Sequence, residues 1–144
     1  MPESPPHSAN RIKAALSEAG LEVFRTRGEE IVLAERPREN LIMDAGVRLR
    51  VTDAYEVRVV LRAQRADFPN EDDALLFERV RRLASPALAG GFAEVATSVT
   101  PIQDPSEPER TLDTFFEITY AKRAHSMTDA VAEVRFALAL EKRA

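Results

Sequence analysis

The amino-acid sequence predicts an α+β fold: an antiparallel, mixed-order sheet with helices packed on one face, in the order α-β-β-β-β-α-β-β-α. Two stretches, 47–64 and 111–120, alternate apolar and polar residues, which is the period of a strand with one buried face. Between them, 71–85 begins with three acidic residues and carries apolar residues at helical spacing. Strands with one wet face favour an antiparallel sheet.

The chain of 144 residues is long enough for one domain with a substantial core. Residues 1–8 hold three prolines and predict a flexible arm, and 9–144 predict a single α+β domain. Ser8 is a candidate N-cap, and Gly20 stands where a helix commonly ends. The apolar stripe between them comprises Ile12, Ala15, Leu16 and Ala19.

Two short strands follow, over 21–26 and 30–35, joined at Arg27-Gly28. Pro37 is expected to end the second strand, because proline lacks the N–H that the ladder needs. Residues 36–46 are then expected to form a long connecting loop. Its apolar tip, made of Leu41, Ile42 and Met43, hints at a partner surface.

The strand pair at 47–52 and 55–64 has an apolar face and a face rich in arginine. The short gap at Asp53-Ala54 favours a hairpin. Two interpretations of the arginine face stay open: a solvated outer face, or a surface that meets a neighbouring subunit or nucleic acid. The arginine stripe consists of Arg48, Arg50, Arg58 and Arg62.

The helix over 71–85 has Asn70 as its expected N-cap and stops at Ser85-Pro86. Gly90-Gly91 opens the next strand, which has Val95 and Val99 on one face. Residues 101–110 contain three prolines, which predict an exposed loop. Two acidic segments are candidates for meeting a neighbouring subunit's arginines: the start of the helix over 71–85, and this loop, whose acidic residues are Asp104, Glu107 and Glu109.

The closing strand over 111–120 places Phe115 on the face opposite Phe116, where it meets another subunit or packs under the last segment. Ser126 with Asp129 resembles a capping box. Residues 127–143 fit both a helix and a strand, and the cap and four alanines favour the helix. The expected core is Val57, Val59, Leu61, Leu76, Val80, Leu83, Phe116 and Ile118.

The sequence contains no motif that predicts an enzyme active site, a cofactor site or a metal site. It has no cysteine, and its two histidines, His7 and His125, have no catalytic or metal-binding neighbourhood. Glu71, Asp72 and Asp73 are interpreted as a solvated helix start, and Gly90-Gly91 does not match a phosphate loop. The net charge of −4 argues against a dedicated nucleic-acid binder, and no apolar run is long enough to span a membrane.

Four stretches resemble the tail terminator proteins of long-tailed bacteriophages of the lambda type: 30–35, the loop into 55–64, the helix over 71–85, and 111–120. The resemblance implies a structural virion protein without catalytic residues. It implies a homo-oligomeric ring, usually a hexamer, that caps the tail tube and joins it to head-completion proteins at the virion neck, after synthesis in the host bacterial cytoplasm. DNA would pass through the lumen of such a ring. The residues after Tyr120 extend beyond the family's usual end.

The same element order also resembles type III secretion chaperones and the YbjN-like bacterial proteins. That resemblance implies a small acidic α+β dimer that binds unfolded segments of partner proteins. The low pI and the C-terminal helix suit it equally well. The long loops expected at 36–46 and 101–110 favour the terminator, because a compact chaperone does not need them.

Overall fold

A computed structural model describes residues 9–144, so the expected arm over 1–8, together with His7 and Ser8, lies outside the described residues. The fold class is confirmed: six strands form one antiparallel sheet in the order β1-β2-β3-β4-β6-β5, accompanied by four α-helices. The elements are α1 (Ala9–Glu18), β1 (Val23–Arg27), β2 (Glu30–Arg38), β3 (Leu41–Val51), β4 (Tyr55–Gln64), α2 (Asp73–Leu83), α3 (Ser85–Ala89), β5 (Ala93–Gln103), β6 (Thr111–Ala124) and α4 (Met127–Ala139).

The chain groups into two compact units. The first contains residues up to Val59 together with Ala121–Leu140, and the second contains Val60–Tyr120 together with Glu141–Ala144. A single domain over 9–144 stays a prediction, and the two units are described one at a time below.

In the first unit, helices α1 and α4 pack against each other and against the strands. Strand β4 alternates buried and half-buried residues without a break, as its sequence predicts. Helix α1 ends at a glycine with φ +78°, as expected for Gly20, and the backbone N–H of Leu21 reaches back to the carbonyl of Leu16 at 2.9 Å. The fully buried large side chains of this unit are Ile12, Leu16, Ile31, Leu33, Val47, Leu49 and Tyr55.

The expected loop over 36–46 is wrong, because these residues belong to a long hairpin of β2 and β3 that turns at Glu39-Asn40. Pro37 does not end β2. Backbone pairing on the β1 side of β2 ends at Ala34, whose N–H donates to the carbonyl of Glu22 at 2.9 Å, so beyond that point β2 has an unpaired side where a missing N–H costs little. Gly46, with φ +74°, lies where the β2–β3 register shifts, and it acts as a bulge rather than a loop end.

In the second unit, α2 contacts the short helix α3 and packs against β6. Phe77 and Phe116 contact each other edge to face, with ring centroids 5.5 Å apart. Seven of the eight expected core residues are buried, whereas Leu83 is half-buried. The buried stripe of α2 instead runs from Leu76 through Val80 to Ala84, which keeps a spacing of four residues.

Two helix boundaries differ from the expectation. The N-cap of α2 is Asp72, not Asn70: its carboxylate accepts a hydrogen bond from the N–H of Leu75 at 2.8 Å. Pro86 does stop α2, but it also starts the short helix α3, since proline is tolerated in a first helical turn. Gly91, with φ +93°, makes the bend that enters β5, as expected.

The expected loop over 101–110 is too long, because β5 continues through Pro101 to Gln103. The connection to β6 is a tight turn over 104–110, closed by the Asp104 N–H, which donates to the carbonyl of Arg110 at 2.9 Å. Strand β5 lies at the edge of the sheet, where Pro101 needs no partner on its open side.

The last segment is a helix as far as Ala139. The hydroxyl of Ser126 accepts a hydrogen bond from the N–H of Asp129 at 3.0 Å, which confirms the cap. The helix buries Ala130, Val134 and Ala137 at spacings of four and three, so the alternative strand is wrong.

Candidate interaction surfaces

The arginine stripe begins in the first unit, on the partly exposed face of the β3–β4 hairpin. Arg48 lies directly opposite Arg58, and Arg50 lies opposite Glu56. Two arginines opposite each other repel, so this arrangement needs nearby carboxylates to be stable. The hairpin thus brings three of the four predicted arginines together, as the alternation indicates.

Most of that positive charge is balanced within the chain. Arg48 forms an ion pair with Asp44 at 3.1 Å and lies 3.8 Å from Glu30, whereas Arg58 pairs with Glu56. Asp44 also accepts a hydrogen bond from the N–H of Gly46 at 2.8 Å, so one carboxylate fixes the bulge and holds Arg48. Among residues 9–144, Arg50 alone in the stripe has no ion pair and no aromatic contact.

The end of the β2–β3 hairpin is exposed throughout, from Glu35 to Met43. Leu41, Ile42 and Met43 are 38–44% exposed, although consecutive strand residues point to opposite faces. Neither face of the hairpin end is therefore covered by the first unit. Arg36 holds the base of this segment through two hydrogen bonds to Glu22, at 2.8 and 2.9 Å, and this contact raises the pKa of the guanidinium.

In the second unit, Arg62 stacks on Phe115, with its guanidinium carbon 4.4 Å from the ring centroid. Phe115 is half-buried, and the cation covers part of its ring. The backbone of Arg62 is bonded to the C-terminal segment: its N–H donates to the carbonyl of Lys142, and its carbonyl accepts from the N–H of Ala144, both at 2.9 Å. Arg143 anchors that segment by hydrogen bonds to Asp67.

A carboxylate of β6 organises the chain that follows β4. Asp113 accepts hydrogen bonds from the Gln64 amide at 3.0 Å and from the N–H groups of Ala66 and Thr114 at 2.9 and 2.7 Å. Burial opposes its ionisation, but the three hydrogen bonds together outweigh burial and lower the pKa of Asp113. This carboxylate has a structural role that the sequence pattern did not indicate.

The two acidic segments, at the start of α2 and in the turn over 104–110, differ in how many of their carboxylates form ion pairs within the chain. At the start of α2, Glu71 pairs with Arg79 at 2.7 Å, which lowers the pKa of Glu71, and Asp73 pairs with Arg65. In the turn over 104–110, Asp104 accepts from the N–H of Ser106 at 2.9 Å. Glu107 and Glu109 are exposed and form no ion pair with any described residue.

The sequence predicts strand β5, but sequence reasoning missed its exposure and its place at the edge of the sheet. Ten of its eleven residues are exposed, and Val95 and Val99 are 50% and 51% exposed. Its one charged residue, Glu94, is held by Arg81 at 3.0 Å. The signal was its composition: small and β-branched residues from Val95 to Thr100 favour a strand but supply no large side chain for a core.

The described part of the chain holds no group of three or more His, Cys, Asp or Glu residues that could bind a metal ion. His125 is exposed beside the α4 cap. None of the helices in residues 9–144 is both long and apolar enough to cross a membrane.

Comparison with known proteins adds no relative. No protein-family model matches the chain, no curated protein is similar to it, and no solved structure matches its fold.

Proposed function

We propose that this chain is an acidic, dimeric binding protein that takes up extended apolar segments of partner proteins, as the type III secretion chaperones and YbjN-like proteins do. The observation that carries this proposal is the end of the β2–β3 hairpin, where three consecutive apolar residues stand exposed on paired strands. Contiguous exposed apolar surface marks a binding site more often than scattered single residues do.

The chemistry of the hairpin end suits an apolar segment. Leu41, Ile42 and Met43 offer aliphatic surface on both faces of a strand, and Met43 adds an adaptable side chain. Burial of apolar surface contributes roughly 25 cal/mol per Å², so covering these side chains favours binding of an apolar segment. Glu35 and Arg36 on the paired strand are exposed and place charges beside this apolar surface.

Of the two long loops that favour a ring at the level of sequence, 36–46 is part of a hairpin and 101–110 is shortened to a turn over 104–110. A compact chaperone accommodates a hairpin and a tight turn without difficulty. The acidic groups at the start of α2, one of the two candidates for meeting a neighbour's arginines, are bonded within their own chain. Both points favour the dimeric chaperone class over the ring.

The test is binding to a permanently unfolded protein, reduced and carboxymethylated α-lactalbumin, measured by fluorescence anisotropy. We expect reversible binding that weakens at least about tenfold when Leu41 and Met43 are both changed to serine, because two apolar contacts are lost. Leu88→Ser on α3 is the matched control, since Leu88 is half-exposed in the other unit. Equal loss in both variants, or no binding by the wild type, would contradict the proposal.

The tail terminator is the second candidate, and one observation favours it. Arg50 on the arginine stripe and Glu107 and Glu109 in the turn form no ion pairs among the described residues, so a neighbour in a closed ring could pair them. In that case the partners are the tail tube and head-completion proteins at the virion neck, and DNA passes through the lumen.

Molar mass in solution separates the two candidates. A dimer has twice the chain mass of 16.0 kDa, and a hexamer has six times that mass. If a ring forms, Arg50→Glu should abolish it, while Arg123→Glu, at an exposed arginine on β6, should leave it intact. A stable dimer that neither variant disturbs rules out the ring.

A further inference from the structure

We propose that strand β5 is the dimer interface and pairs antiparallel with β5 of a second copy, with Thr97 on the twofold axis. This inference rests on the proposed function, which requires a dimer, and it names the surface and the register. The sheet of one copy then continues into the sheet of the other. The hairpin end of the first unit is left for the partner protein.

Strand β5 is an open edge without the usual protection. Sheet edges in soluble proteins are normally blunted by charges, prolines, bulges or short length, because an unpaired row of N–H and C=O groups invites another strand. From Val95 to Thr100 there is no charge and no proline, and Pro101 comes only near the end. Glu94 at the other end has its charge balanced by Arg81.

Symmetry restricts the possible registers. Closely and widely spaced hydrogen-bonded pairs alternate along an antiparallel ladder, so a twofold axis must pass through a residue that pairs with itself. Five residues lie within two positions of the strand centre: Ala96, Thr97, Ser98, Val99 and Thr100. With Val99 or Thr100 on the axis, Val95 falls opposite Gln103 or beyond the end of the strand. Each choice fixes every other pair.

Thr97 is the choice that makes the strand complementary to itself. It places Val95 opposite the second copy's Val99, and therefore Val99 opposite the second copy's Val95, so that both exposed valines are covered. Since alternate residues share a face, Val95, Thr97 and Val99 form one continuous strip. Glu94 falls opposite Thr100, so no like charges meet.

The neighbouring registers are poorer. With Ser98 on the axis, Val95 meets Pro101, which has no N–H to donate, and Glu94 meets Ile102. With Ala96 on the axis, Val95 meets Thr97, and the two valines no longer meet each other. A strand this self-complementary and this uncharged fits a second copy better than an unrelated segment.

The absence of cysteine in the chain allows a clean cross-linking test. Residues directly opposite in an antiparallel pair have Cα atoms about 4.5 or 5.5 Å apart, within disulfide range. We expect Thr97→Cys to form a covalent dimer rapidly under mild oxidation. Thr100→Cys, exposed on the same strand, should not, because its counterpart lies six residues away, roughly 20 Å along the ladder.

The register is tested by mixing two single variants. Val95→Cys and Val99→Cys should each remain uncross-linked alone and form a mixed covalent dimer together. A dimer by mass that shows no cross-link at position 97 overturns the β5 interface and leaves the proposed function standing. A chain that remains monomeric overturns the β5 interface together with the dimer, and binding to unfolded α-lactalbumin then decides what remains of the proposed function. Equal cross-linking at positions 97 and 100 indicates random collision and also overturns the interface.

Discussion

The two edges of the sheet are built in opposite ways. Strand β1 has five residues, two of them arginines, and its pairing with β2 shifts register between Val23 and Arg25. Strand β5 has eleven residues, no charge between Val95 and Gln103, and open valines. Short length, charge and a bulge all discourage edge pairing, and β5 is neither short nor charged along its central part. This contrast is the reason to place the proposed interface at β5 and not at β1.

The largest expected effect on the free energy of unfolding comes from a substitution on the buried face of the sheet. Its size is the reference against which the variants at the sheet edges are compared. Leu61→Ala on β4 removes a fully buried side chain and leaves a cavity, so we expect a loss of about 2–5 kcal/mol in the free energy of unfolding. Chemical denaturation measures it. An unchanged denaturation midpoint would mean that the register of β4 differs by one residue from the one described.

Charged residues on β5, like those that β1 already carries, should weaken the proposed dimer. Changing Val95 and Val99 to lysine places cations opposite each other across the proposed twofold axis. We expect the dimer dissociation constant to rise about 100-fold, because two apolar pairs are replaced by like charges. Sedimentation equilibrium measures the constant.

The matched control works at the other edge. Arg25 and Arg27 are exposed on β1, so changing both to lysine keeps the charge and should leave the dissociation constant unchanged. If the β5 variant associates as tightly as the wild type, then the open edge has no role in assembly. The thermal midpoint of the β5 variant checks that its fold is retained.

The sequence predicted a strand or a helix correctly where a single pattern, such as alternation or an N-cap, was unambiguous. Strand β4 was bounded correctly over 55–64, because its alternation is unbroken. The Ser126 cap favoured a helix after it over a strand, and the structure confirms the helix. The hairpin of β2 and β3 was missed because Pro37 and Gly46 normally end strands, and only tertiary pairing shows that one lies beyond the reach of β1 and the other forms a bulge.

The site was predicted less well than the fold. The arginine stripe and the apolar Leu41–Met43 segment could be located from alternation and composition. The intramolecular partners of Arg48 and Arg62 could not, because they depend on a bulge and on a cross-strand aromatic ring. The openness of β5 depends on strand order, which no local pattern gives.

A smaller effect is expected at the carboxylate that organises the end of β4. Asp113→Asn should cost about 1 kcal/mol at neutral pH, since an amide cannot accept from both Gln64 and the backbone as the carboxylate does. The folded-state pKa of Asp113 lies below the ordinary value of 3.8, so its stabilisation is present above that pH and is lost as the pH falls through the folded-state pKa.

The unfolding free energies of the wild type and Asp113→Asn, measured by denaturation at neutral and acidic pH, should therefore converge as the pH falls through the folded-state pKa of Asp113. Glu109→Gln serves as the control, since Glu109 is exposed and forms no ion pair among the described residues. A difference for Asp113→Asn that is the same at all pH values would show that packing, not charge, underlies the effect.

An effect of similar size, but opposite sign, is expected at Tyr120. The Tyr120 hydroxyl is buried and has no hydrogen-bond partner among the described residues, and burial, with help from the nearby Glu94 carboxylate, raises its pKa. Tyr120→Phe removes this unsatisfied group, so we expect the unfolding free energy to rise by about 1 kcal/mol. Tyr120 is buried on β6 and not on the proposed β5 interface, so we expect no change in the dimer dissociation constant of Tyr120→Phe. A destabilised variant would show that the hydroxyl has a partner after all.

Amide hydrogen exchange along β5 tests the open edge most directly. In the wild-type dimer, the outward-pointing N–H groups from Val95 to Thr100 should be protected, because they bond to the second copy. In the variant with lysine at positions 95 and 99 the same amides should exchange at least about tenfold faster, while those of β4 stay protected. Rapid exchange of these amides in both proteins, with dimerisation intact, would contradict the pairing of β5 with itself.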